Sequence, residues 1–110
     1  MNLQTLPEQD ESIAVELTAV KLLAGREHSR QELRRKLNVR HADADLIEAV
    51  LDDLEQRGLL SDERFAEIYV DQRSRKGYGP LRIRAELAER GIGGEDAARW
   101  IDEGPYDWSE

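Results

Sequence analysis

The chain has 110 residues, 39% of them hydrophobic and 36% charged, with a net charge of −8. That length suits one compact domain or two very small ones. The absence of cysteine excludes disulfides and thiolate metal sites and fits a reducing, cytoplasmic setting, and no apolar run approaches the ~20 residues that cross a bilayer.

The first residues, MNLQTLPEQDES, lack the basic-then-apolar pattern of a signal peptide and read as a flexible tail over 1–11. Ile13, Leu17, Val20 and Ala24 then follow the i, i+4, i+7, i+11 stripe of a helix. Gly25 ends it. Ser29 and Glu32 form a capping box for a second helix with Leu33 and Leu37 inward. Asp43 or Asp45 caps a third, whose wide apolar face is Leu46, Ile47, Val50, Leu51 and Leu54, and Gly58 closes it. A fourth helix starts at Ser61, with Asp62 and Glu63 at the positive end of its dipole and Phe65, Ile68, Tyr69 and Gln72 inward. KGYGP breaks it. Pro80 suits the first turn of a fifth helix that buries Ile83 and Leu87. Gly91 closes that helix, and a sixth turns Ala97, Trp100 and Ile101 inward before Gly104 and Pro105 stop it.

Shifting the chain by 50 residues superimposes the two halves without a gap between residues 20 and 53. Ser29 falls on Gly79, Leu33 on Ile83, Leu37 on Leu87, Val50 on Trp100 and Leu51 on Ile101, while Arg26, Arg34 and Arg40 fall on Lys76, Arg84 and Arg90. The expected fold is all-α: two tandem three-helix repeats, 12–60 and 61–104, stacked into a short curved helical array because each is small for a core of its own.

Charge alternates along the chain. Residues 25–40 and 73–90 each hold six basic residues against two acidic ones, in an otherwise acidic sequence. If the repeats stack, Arg26, Arg30, Arg34, Arg35, Arg73, Arg75, Lys76, Arg82, Arg84 and Arg90 form a basic stripe able to follow phosphates or meet an acidic partner. The same residues read equally well as solvated helix faces. KGYGP has neither the spacing nor the trailing lysine of a phosphate loop, so it is a helix joint, and the helix start at Pro80, flanked by Arg75, Lys76 and Arg82, is a secondary candidate for an anion. Tyr78 is the lone aromatic within the basic runs, which argues against base stacking. A DNA-reading helix at 80–90 is disfavoured by Glu86 and Glu89. The acidic residues of the third helix scatter over its outer face rather than gathering as metal ligands. Neither His28, in a joint, nor His41, in a loop, belongs to a catalytic arrangement.

The stretches SRQELRRKL, LDDLEQRGLLSDERFAEIYV and RSRKGYGPLRIRAELAERGI resemble the RecX family of bacterial regulators of the RecA recombinase, over roughly residues 15–103. The resemblance implies tandem three-helix repeats, ordinarily three of them, so that 105–110, with Asp107 and Trp108, open a third repeat most of which is missing and Trp108 is left exposed. It implies a monomeric, cytoplasmic, non-enzymatic protein without cofactors. Such a protein binds RecA and its filament on single-stranded DNA, lying along the filament groove, and inhibits ATPase, strand-exchange and co-protease activities. Two other readings stand beside it: a stand-alone, non-sequence-specific nucleic-acid-binding module, and a helical protein–protein adaptor.

Overall fold

The computed structural model describes residues 7–108. Six helices follow one another: α1 (Pro7–Gly25), α2 (Arg30–Arg40), α3 (Ala44–Gln56), α4 (Asp62–Arg75), α5 (Pro80–Glu89) and α6 (Gly94–Asp102). Helix α1 takes in residues 7–11, which the sequence reading assigned to a tail; residues 1–6 of that tail lie outside the described residues. The chain divides after Leu60 into two compact units, each with three helices and its own core.

Helix starts follow from short-range chemistry. Ser29 accepts a hydrogen bond from the Glu32 N–H while the Glu32 carboxylate accepts one from the Ser29 N–H, completing the capping box. Asp43 and Ser61 cap α3 and α4 through the N–H groups of Leu46 and Arg64. Pro80 occupies the first turn of α5 behind an extended Gly79. At the other end of α4, Gly77 stands at φ +92°, which lets its N–H reach the Ser74 carbonyl and the Tyr78 N–H reach the Arg73 carbonyl. The same pair of bonds closes α3 at Gly58–Leu59 and α5 at Gly91–Ile92.

In unit 1, Leu33 and Leu37 of α2 meet Ile47, Leu51 and Leu54 of α3 and Val15 and Ala19 of α1, with Leu60 closing the end. In unit 2, Ile83 and Leu87 of α5 meet Ala97 and Ile101 of α6 and Phe65, Ala66 and Val70 of α4. Burying an aliphatic side chain of this size contributes about 1.5–3 kcal/mol, and units of this size bury few, so each one matters.

Two expected faces are corrected. On α1, Ile13, Leu17, Val20 and Ala24 are exposed, and Val15 and Ala19 are the buried residues, with Leu22 and Leu23 partly buried. On α4, Ile68 and Gln72 are exposed, whereas Ala66 and Val70 join Phe65 inside. The 50-residue register holds through α2/α5 and α3/α6, where Leu33/Ile83, Leu37/Leu87, Ile47/Ala97 and Leu51/Ile101 are all buried, and fails at Val20, whose counterpart Val70 is fully buried. Trp108 is a third correction. Its ring packs on the unit 2 core beside Tyr106, and its Nε1–H donates to the Ile101 carbonyl at 3.0 Å, so it is half-buried rather than exposed. Residues 109 and 110 lie outside the described residues.

The glycine closure gives a first test. Gly77→Ala meets no atom within 4 Å but must hold a left-handed backbone; it is expected to lose about 1–2 kcal/mol. Gly25→Ala, also unobstructed and at the end of α1 without a positive φ, is expected to gain up to about 1 kcal/mol. Urea titrations followed by circular dichroism check both; equal shifts would show that the Gly77 conformation carries no strain.

Candidate partner-binding surface

The ten basic positions are largely occupied by carboxylates of their own unit. In unit 1, Arg30 projects from the first turn of α2 onto α3, where its guanidinium binds Glu48 at 2.9 Å, Asp52 at 2.8 Å and Glu55 at 2.6 Å. Burial works to lower its pKa, but the hydrogen bonds to Glu48, Asp52 and Glu55 outweigh this and hold it above its usual value. One turn on, Arg34 donates through Nε and Nη2 to both oxygens of Glu48. Hydrogen bonds from Arg34 and then Arg30 hold the Glu48 carboxyl down at about 2. Arg26 bonds Glu32 at 3.2 Å and the Glu27 carbonyl at 2.7 Å. Arg35 is exposed and makes no ion pair among the described residues.

In unit 2 the centre of the network is Glu86, on α5. It accepts from Arg73 Nε and Nη2, both at 3.0 Å, from the Tyr69 hydroxyl at 2.8 Å and from Arg82 Nε at 3.1 Å. The Arg73 bonds lead, with Tyr69 and Arg82 adding to them against the effect of burial, and keep its carboxyl at about 2. The guanidiniums of Arg73 and Arg82 lie 3.9 and 4.2 Å from the Tyr78 ring centroid, and that of Arg90 lies 4.8 Å from Tyr69. Burial and the bond to Glu86 raise the Tyr69 hydroxyl pKa. Arg84 bonds both oxygens of Asp102 at 3.1 Å, Arg75 pairs with Asp71 at 3.0 Å, and Arg90 donates to the Glu86 carbonyl at 2.8 Å. Lys76 is exposed without an ion pair among the described residues. The start of α5 shares its hollow with Asp71 and Asp107, whose carboxylates oppose an anion there.

The network therefore brings Arg30 with Arg34, and Arg73 with Arg82, each pair around one carboxylate. Fully exposed pairs contribute about 0–1 kcal/mol each; here the Arg30, Arg73 and Glu86 side chains are partly buried, and the bonds also hold the guanidiniums in place. His28 is buried at the joint before α2, its Nδ1 3.0 Å from the Arg26 carbonyl. Burial chiefly lowers its pKa, so the ring is held neutral, and its Nε2 is 3.0 Å from Lys36 Nζ. The sequence reading left out Lys21 and Lys36, and counted Arg40 only as the repeat partner of Arg90, although these three line one cleft of unit 1. The signal that marks Lys21 and Lys36 is the reversal of charge against their repeat counterparts Asp71 and Glu86; Arg40, matched by Arg90, carries no such signal.

Among the described residues no group of three or more histidine or acidic side chains is placed to hold a metal, and no helix is long and apolar enough to cross a membrane.

Two family models match, in order and one per unit: the first three-helix domain of RecX over residues 17–54 and the second over residues 61–99. A regulatory protein RecX of Pseudomonas fluorescens is 50% identical over 101 residues, covering 92% of this chain and 65% of its own. One from Pseudomonas putida is 48% identical and is covered over 71% of its length. The chain thus spans about two thirds of the length of these relatives. Among solved structures, a regulatory protein RecX superposes with a TM-score of 0.81 at 22% identity, covering 87% of this chain and 48% of the other, a likeness of fold. The RecX crystal structure from Lactobacillus salivarius gives 0.76 at 25% identity, covering 86% and 62%.

Proposed function

The chain belongs to the RecX family, and from that premise we propose that it is a regulator that binds the RecA recombinase and its filament on single-stranded DNA and restrains ATP hydrolysis, strand exchange and co-protease action. The match of both three-helix domains, in order and across most of the chain, carries this reading. The protein acts by occupying a surface, as a cytoplasmic monomer, and performs no chemistry of its own.

The internal ion pairs sharpen how the basic residues contribute. A guanidinium already bonded to two carboxylates offers a partner little net charge, because bringing up a phosphate means displacing or sharing an acid. Of the ten basic positions, Arg35 and Lys76 are exposed and hold no carboxylate among the described residues. These two are the proposed contacts to DNA phosphate or acidic RecA surface. The ion-paired arginines serve mainly to shape the surface around them.

The test is RecA ATPase and strand exchange on single-stranded DNA, with this chain titrated from far below the RecA concentration to saturating excess. Dose-dependent inhibition is expected, and activity unchanged across the whole range would overturn the regulatory reading for this chain. The pair Arg35→Glu and Lys76→Glu is expected to weaken filament binding several-fold, with helix content unchanged, whereas Arg84→Glu has a smaller effect. Retention on the DNA without RecA, falling steeply with salt, would instead favour a stand-alone nucleic-acid-binding module.

A further inference from the structure

We propose that the cleft between α1 and α2 of unit 1 is a docking site for an acidic, amphipathic peptide segment of a partner protein. The cleft has a volume of about 560 Å³ and is lined by Leu17, Lys21 and Leu22 from α1 and by Lys36, Val39 and Arg40 from α2, with Thr18 beside them. A volume of this order is within the usual range for binding clefts and has room for a few side chains of a bound segment.

Three observations converge on it. The first is charge. The chain carries 24 acidic and 16 basic residues, yet three cations and no carboxylate line this cleft. Lys21 and Arg40 form no ion pair among the described residues, and Lys36 faces the neutral imidazole of His28. Elsewhere the structure draws its arginines onto its own acids, as with Arg30, Arg57, Arg73 and Arg84. The second is apolar exposure in the same place: Leu17 is 61% and Val39 84% exposed, while half-buried Leu22 forms the inner wall and packs on the core. The third is the comparison with unit 2. Helix α5 buries Ile83 and Leu87 as α2 buries Leu33 and Leu37, but carries Glu86 and Glu89 where α2 carries Lys36 and Val39. The fold is thus made equally well with acids at these positions. The helix dipole accounts for a cation such as Arg40 in the last turn of α2; it does not account for Lys21 on α1 or for the two exposed aliphatic side chains.

This combination selects the occupant. A nucleic acid backbone would satisfy the cations but would set phosphates against Leu17 and Val39, and no aromatic side chain lines the cleft to stack a base. An aliphatic or aromatic side chain of a peptide fits between those two residues, and flanking carboxylates reach Lys21, Lys36 and Arg40. This is the arrangement by which an amphipathic segment lies in a groove, its apolar anchors giving affinity and its charges setting register. The proposal rests on the cleft alone and is independent of the regulatory reading above.

The probe is a fluorescein-labelled 18-residue peptide of leucines at helical spacing with glutamates between them, followed by anisotropy against the whole chain. Saturable binding is expected. It should weaken at least about tenfold on Lys21→Glu with Arg40→Glu, and similarly on Leu17→Ser with Val39→Ser. All four side chains are exposed, so far-ultraviolet circular dichroism is expected to be unchanged. Peptides with glutamine for glutamate, or serine for leucine, should each lose most of the affinity. The proposal is overturned if the peptide fails to bind up to millimolar protein, if the two double variants bind it as the parent does, or if the glutamine peptide binds equally well. It is also overturned if an oligothymidylate is bound more tightly than the peptide and loses its affinity on the same two cation substitutions, for the cleft would then be a nucleic-acid site.

Discussion

Ile83→Ala is expected to destabilise unit 2 by about 3 kcal/mol, the typical cost of deleting a fully buried aliphatic side chain whose surroundings relax only partly. Ile83 has no exposed surface and belongs to the buried cluster of α4, α5 and α6. Both tryptophans, Trp100 and Trp108, pack against this cluster, so the urea midpoint of tryptophan fluorescence reports on it directly. Leu33→Ala, at the matching position of unit 1 and equally buried, should cost a similar amount in the transition seen by circular dichroism, without a tryptophan of its own unit to report it. For a unit of some fifty residues such a loss is a large part of the total stability. An unchanged fluorescence midpoint for Ile83→Ala would mean that this residue is not part of the packed interior.

The second large effect concerns acid. Glu86→Gln removes the charge that binds Arg73, Arg82 and the Tyr69 hydroxyl together, and should cost about 1–2 kcal/mol at neutral pH once solvent screening of the outer pairs is allowed for. The hydrogen bonds from Arg73 hold the Glu86 carboxyl at about 2 in the folded protein, against an ordinary value of 4.5. Its contribution is therefore complete above pH 4.5, shrinks as the pH falls, and is gone near pH 2. Parent and variant should differ most at neutral pH and converge on acidification, as read from thermal melts of tryptophan fluorescence between pH 7 and 2.5. A gap that stays constant over this range would show that the carboxylate is not tied to the arginines in solution. Glu48 has the same pH dependence in unit 1, where Arg34 and Arg30 hold it at about 2.

What the sequence made legible follows the range of each interaction. The capping box at Ser29 and Glu32, the cap at Ser61 and the proline at the start of α5 involve residues no more than three or four apart, and they place α2, α4 and α5 within a residue of where they lie. The repeat then fixes the interior of α2, α3, α5 and α6, because a buried Leu33 demands a buried Ile83. The inner face of α1 was not decidable in this way. The helix carries aliphatic residues at 13, 15, 17, 20, 22 and 23. Both Ile13–Leu17–Val20 and Val15–Ala19–Leu22 satisfy helical spacing, and packing against α2 and α3 alone decides between them. The basic residues were visible as charges, but their acids were not visible as partners. Arg30 finds Glu55 twenty-five residues away and Arg73 finds Glu86 thirteen away. No local pattern records such a pairing, so two basic runs that read as a discontinuous positive stripe are for the most part neutralised in place. The half-buried position of Trp108 is hidden from the sequence for a related reason: its carbonyl acceptor on Ile101 belongs to the backbone and leaves no trace in residue identity.

The helix-closing turns at Gly58, Gly77 and Gly91 share one pattern of hydrogen bonds made entirely by backbone groups. Together with the caps and a few aliphatic positions, they steer the chain without reference to what the outward side chains are. After a duplication of the three-helix unit, surface positions are therefore free to diverge while the scaffold persists. Valine at 39 and glutamate at 89, both exposed on helices with the same buried pairs, differ in this way. A protein made this way can acquire a second specificity by changing the exterior of one copy while the other keeps its original role.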